Sequence, residues 1–164
     1  MVTVTTWADF SEAEPDLAAR TQERFETHGL ALMATLRADG SPRISGVEPL
    51  IALGELWLAM MPGSRKSTDL RQDPRLALHN ATIDKSVHDG DVKVSARAIA
   101  ASDPDAVDRF RDEFDRRTGA PPPPGPFDLW RLDLTEVSML RPEADHLVIE
   151  IWRPGRPVRQ VERR

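Results

Sequence analysis

Three apolar runs, "LALMATL" at 30–36, "RISGVEPLI" at 43–51 and "ELWLAM" at 55–60, are separated only by "RADGSP" and "ALG". A parallel pair of strands needs a crossover of about a dozen residues or more between them. Six residues and three cannot hold one, so these runs must pair antiparallel through tight turns. Asp39-Gly40 is the turn signal expected between the first two. This spacing excludes an α/β layer fold before any other residue is considered.

The later runs extend the pattern. "PRLALHNAT" at 74–82, "DVKVSARAIA" at 91–100, "FDLWRLDLTEVSML" at 127–140 and "HLVIEIW" at 146–152 read as strands. In the second of these Val92, Val94, Ala96 and Ala98 face one way and Lys93, Ser95 and Arg97 the other. Helical spacing covers 12–28, where Leu17, Thr21 and Phe25 recur, Ser11 and Glu14 have capping-box spacing, and Gly29 is a stop. A second helix over 104–118 has Ser102 or Asp103 as its cap, Pro104 in its first turn and Gly119 at its end. A short third one follows the turn at 61–64. Six or seven short strands with three helices around them predict a mainly β, single-domain protein over 1–164, a small barrel without open edges.

Composition narrows the functions. The 22 basic and 27 acidic residues give a net charge of −5, which disfavours a nucleic-acid surface. Without cysteine there is no disulfide, thiolate or cysteine-held metal. Neither an export signal nor a membrane-length apolar run is present, so a cytoplasmic protein is expected. Asp84, His88, Asp89 and Asp91 lack the spacing of a metal loop, and no metal is expected. His79 and His88 are read as structural or solvated, as is His28 at the end of the first helix. "PPPP" at 121–124 is read as a stiff surface connection.

The chemistry concentrates in "MPGSRKSTDL" at 61–70. Pro62 and Gly63 bend the chain, Ser64 or Ser67 offers a hydroxyl, Arg65 a planar fork and Lys66 a mobile charge, all at the start of a helix. Locally this is either a phosphate seat or a solvated basic turn. Arg43 and Ser45, on one face of the 43–51 strand beside Gly46, favour the seat. In a meander that strand lies next to 55–60, whose end feeds the turn.

The order "ATLRADGSPRISGVEPLI", "ELWLAMMPGSRKSTDLRQDPRLALHN" and "GDVKVSARAIAASDPDAVDRF" resembles the split β-barrel family of pyridoxamine 5'-phosphate oxidase and related flavin and deazaflavin reductases. The tail "IWRPGRPVRQVERR" is similar to that of actinobacterial-type members. The resemblance implies FMN at a homodimer interface, with the phosphate on Ser64, Arg65 and Lys66. It puts Arg43 and Ser45 along the phosphate or ring edge, the backbone at Met60 and Met61 against the ring, and Asn80 on a strand facing the flavin. Trp152 and Arg153 correspond to late residues near the partner subunit's cofactor. No catalytic acid or base is implied. The histidine-bearing, arginine-rich C-terminal segment of the vitamin B6 oxidases is absent, and the chain has no tyrosine before the turn, so oxidation of pyridoxamine phosphate is not expected. The expectation is an FMN-dependent oxidoreductase acting on a small molecule. The alternatives are a reductase using the deazaflavin coenzyme F-420, with Arg37 and Arg71 serving its acidic tail, or a non-enzymatic binding module.

Overall fold

The computed structural model describes residues 3–164. Two helices open it, α1 (Trp7–Ala13) and α2 (Pro15–His28), followed by β1 (Ala31–Leu36), β2 (Pro42–Val47), β3 (Pro49–Ala52) and β4 (Glu55–Met60). Then come α3 (Arg65–Gln72), β5 (Arg75–Asn80), β6 (Asp91–Ala100), α4 (Pro104–Thr118), β7 (Asp128–Pro142), β8 (Leu147–Arg153) and β9 (Arg156–Arg163). All strand pairs are antiparallel, in the order β2-β1-β5-β6-β7-β4-β3, and β8 leaves β7 to carry β9. This is the expected mainly β, split-barrel architecture with peripheral helices, but edges remain where none were expected: among the described residues β2, β3 and β9 each pair with one strand only.

β7 makes the barrel branch. β6 runs along most of its length, while its other edge pairs first with β4, at Asp128–Arg131, and then with β8, from Val137 onward. Inward side chains of these strands form the main core with Phe10, Leu17 and Phe25 of the first two helices. Trp57, Leu129 and Ala52 point the other way and form a second cluster with Phe110 of α4. The alternation read in β6 holds, with Val92, Val94, Ala96 and Ala98 buried. α4 has the expected limits, capped by Asp103 and stopped by Gly119 in the left-handed region. No helix among the described residues is long and apolar enough to cross a membrane.

Several sequence expectations are corrected. The helix expected at 12–28 is two helices, because Pro15 bars its predecessor from helical backbone and Glu14 turns the chain at φ −140°, ψ 69°. The capping box is Thr6 with Asp9, and Ser11 lies inside α1. The strand expected at 43–51 is likewise two, divided at Glu48 before Pro49. Its Arg43 half pairs with β1 and only its second half with β4, so Arg43 and Ser45 do not lie beside 55–60. The described residues hold nine strands, the ninth being β9, which forms the tail hairpin with β8 through Pro154-Gly155.

Candidate functional site

The basic turn leaves β4 at Met60 and closes with the Ser64 amide donating to the Met61 carbonyl at 3.1 Å. Gly63 sits at φ +63°, a conformation glycine takes without a side-chain clash. Ser64 is the N-cap of α3, and its side chain makes no capping bond. The first-turn amides of an α-helix have no acceptor within the helix. Together with the helix dipole they favour an anion here.

Two carboxylates, buried Asp69 and half-buried Asp128, fasten α3 to the barrel. Asp128, at the start of β7, accepts from the Gly63 amide at 3.1 Å, Ser67 Oγ at 2.5 Å and Arg71 Nη2 at 2.7 Å. The Arg71 bond, helped by Ser67 and Gly63, holds its carboxyl below the usual range against the opposing effect of burial. Asp69 accepts from Arg43 Nε at 2.6 Å and Thr35 Oγ1 at 2.7 Å. Burial pushes this carboxyl up, but the bonds from Arg43 and Thr35, with the charges of Arg43 and Arg37, carry it below its ordinary value. Lys66 Nζ donates to the Gly46 carbonyl of β2 at 2.8 Å. α3 is therefore the strap that brings β2 to the turn, the role expected of direct pairing between strands.

The charge balance follows from these bonds. Arg43 and Arg71 are each paired with an aspartate, whereas Arg65 and Lys66 have no carboxylate partner among the described residues. Ser64 Oγ is buried without a hydrogen-bond partner. An unsatisfied buried hydroxyl costs about 1–3 kcal/mol. These donors fit a phosphate: two cations without a carboxylate partner, a helix start and a hydroxyl lacking a partner. Ser64→Ala is accordingly expected to leave the ligand-free protein as stable as before, or up to about 1 kcal/mol more stable in urea denaturation. A loss of stability would mean that the hydroxyl has a structural partner.

The other named residues fall in separate places. Ser45, opposite Met33 in the β1–β2 ladder, shares the Arg43 face, so Arg43, Ser45, Ser64, Arg65 and Lys66 gather around α3. Met60 is buried in the main core, and Met61 is 79% exposed at the rim. Asn80, two strand spacings or about 10 Å from Val47, is buried and accepts the Val92 amide at 2.7 Å. Trp152 lies in the core with its ring 4.5 Å from that of Phe10, and Arg153 pairs with Glu136 at 2.6 Å. Trp152 is opposite Val137, nine residues along β7 from Asp128 or roughly 30 Å, so one chain does not bring Trp152 and Arg153 to the turn.

Asp69 and Asp128 were not named from the sequence, and Ser67 and Arg71, read there as a phosphate hydroxyl and a cation for an acidic tail, instead build the support with them. Ser67 and Asp128 are 61 residues apart, and no spacing rule links them.

Solved structures share this fold at low sequence identity. A pyridoxamine 5'-phosphate oxidase-related, FMN-binding protein of Nostoc punctiforme is 12% identical at a TM-score of 0.64, the match covering 92% of this chain and 96% of that one. PhzG of Burkholderia lata, in complex with tetrahydrophenazine-1-carboxylic acid, is 14% identical at 0.61, covering 98% and 96%. The heme storage protein HutZ of Vibrio cholerae is 17% identical at 0.58, covering 74% and 89%. No curated protein matches the chain. Residues 17–141 match the sequence profile of pyridoxamine 5'-phosphate oxidase, a span running from α2 to β7 that includes the whole basic turn. Profile and fold agree, and this chain belongs to that family.

Proposed function

We propose that the protein is an FMN-dependent oxidoreductase of the cytoplasm, with the cofactor phosphate seated on Ser64, Arg65, Lys66 and the first turn of α3. The observation that carries this reading is the unpartnered, buried Ser64 hydroxyl beside two cations without a carboxylate partner. FMN, when bound, supplies hydride exchange at its ring nitrogen N5. The chain's own part is to bind and orient. Pro62 and Gly63 set the bend, Asp128 and Asp69 hold α3 in place, and Lys66 ties the seat to β2. Arg43 and Ser45 line the approach from that strand.

A second copy of the chain completes the site in this reading. The outer face of β1 and β2 exposes Leu32, at 48%, and Ile44, at 72%, beside Leu30. An apolar patch of this kind on a sheet face marks an association surface. FMN is favoured over the deazaflavin coenzyme because Arg71, one of the two cations read for its acidic tail, is already paired with Asp128.

Purified protein is expected to be yellow, or to become so with FMN, and to bleach with dithionite. It should bind FMN at least about tenfold more tightly than riboflavin, which lacks the phosphate; one charged hydrogen bond is worth that much. Equal affinity for the two would overturn the seat. Uptake of the deazaflavin coenzyme in place of FMN would select the second cofactor, and uptake of neither would leave a binding module.

A further inference from the structure

The proline segment is more than a connection. Pro122, Pro123, Pro124 and Pro126 form one wall of a cleft of about 520 Å³, closed on the other sides by Phe110, Phe114 and Phe127 and by Ala59–Pro62 at the end of β4. That volume suits a small organic molecule. The segment is tied to α4 at both ends. Arg111 Nη2 donates to the Gly125 carbonyl at 2.8 Å, Thr118 Oγ1 donates to the Ala120 carbonyl at 2.9 Å, and the Arg111 guanidinium lies 4.5 Å from the centre of the Phe127 ring.

A proline wall has a physical advantage for an apolar ligand. Proline has no backbone N–H, so covering this wall strands no donor away from water. Its side chain also loses almost no rotamer entropy on burial, and the wall is stiff before the ligand arrives. Among the described residues the one charged side chain in the lining is Glu48, at the break between β2 and β3, and no cation lines the cleft to attract a phosphate or a carboxylate.

Position relates the cleft to the cofactor seat. Pro62 lines it and lies two residues from Ser64, at most roughly 7 Å of chain. A cavity of about 450 Å³ around Glu55, Arg109 and Arg131 is at the opposite end of α4. The hollow over Leu32, Ile44 and Lys93 is on the outer sheet face assigned above to a second copy. From this arrangement we infer that the cleft is the substrate pocket, and that it takes a flat, apolar ring and prefers one bearing a neutral or cationic group to a phosphorylated or carboxylated one. The inference rests on the flavin reading and deepens it by naming the substrate class.

Two probes with one ring system test it: 2-naphthylmethylamine, a cation at neutral pH, and 2-naphthoate, an anion. In calorimetric titration of the FMN-loaded protein the amine is expected to bind about two- to fivefold more tightly, the value of one exposed charge. Its binding should also shift the visible absorption of the flavin. Ala59→Phe, which fills the cleft from an exposed strand position, should weaken amine binding at least about tenfold, as the loss of a buried ring contact implies. Glu48→Lys, on the surface, should reverse the preference in favour of naphthoate. Equal binding of both probes to wild type and Glu48→Lys, or unchanged amine binding in Ala59→Phe, would overturn the pocket. Amine binding without a flavin shift would overturn its assignment to substrate. If the protein takes no FMN, the flavin reading fails and the substrate assignment fails with it, while titration of the cofactor-free protein still decides whether the cleft binds the amine. If FMN binds and the amine does not, only the pocket fails.

Discussion

Arg43→Ala is expected to lower the free energy of unfolding by about 3–5 kcal/mol, the cost of removing one partner from a buried ion pair. Asp69 is 6% exposed and Arg43 19%, so neither charge is well hydrated in the fold. Without the guanidinium, the carboxylate keeps one neutral donor, Thr35 Oγ1. The pH dependence separates this cause from a general loosening. In the wild type Asp69 is held below its ordinary value. Its contribution is therefore complete above the unfolded-state value of about 3.9 and is lost as pH falls through the lower folded-state value. In the variant burial, the Thr35 bond and the weaker charge effect of Arg37 remain, burial, the largest of these, prevails, and the folded state takes up the proton more readily than the unfolded chain. Acid then relieves the variant, and the stability gap between the two proteins narrows as pH falls from 7 toward about 4. Urea denaturation across that interval measures it. A gap that stays constant would show that the lost energy is not electrostatic.

Most of the architecture was legible because it depends on short-range rules. The 30–60 spacing forced antiparallel pairing, the β6 alternation marked its buried face, and Asp103, Pro104 and Gly119 delimited α4. Legibility failed where a local signal was weaker than a backbone constraint. Pro15 outweighed the helical periodicity around it, and Glu48–Pro49 broke a run whose apolar residues read as continuous. The tail hairpin was hidden for a related reason. Its pairing slips by one residue between Ile151 and Arg153, so Val158 packs against the core while Val161 pairs with Ile149, and no period-two pattern survives.

The site divides along the same line. Its donors, Ser64, Arg65 and Lys66, stand in one continuous stretch and declare their chemistry together. Its supports do not: Asp128 reaches the turn from β7, and Arg43 reaches α3 through Asp69 across 26 residues. Residues chosen for one role have another partner in the fold. Asn80 serves the Val92 amide, and Trp152 completes the core against Phe10. The proline segment gave no sign of its apolar face, because a run of four prolines reads as solvated until α4 is packed beside it.

Lys66→Ala separates binding from folding in the way Arg43→Ala cannot. Nζ makes one hydrogen bond, to the Gly46 carbonyl, at an exposed position, so its loss should cost no more than about 1 kcal/mol of stability. FMN affinity should fall much further, by about 1.5–3 kcal/mol for one charge-assisted bond, or roughly ten- to hundredfold. Riboflavin affinity should stay unchanged, since it has no phosphate to lose. Salt adds a further criterion, because exposed charges are screened over a Debye length of about 8 Å near physiological ionic strength. FMN binding by the wild type should weaken as salt rises, and by Lys66→Ala less steeply. Arg116→Ala, whose pairing with Glu113 is on the exposed face of α4, serves as the control for a general change in charge. An FMN dissociation constant in Lys66→Ala equal to that of the wild type would remove the phosphate from this turn. Equal losses for FMN and riboflavin would assign Lys66 to the ring or to the shape of the turn.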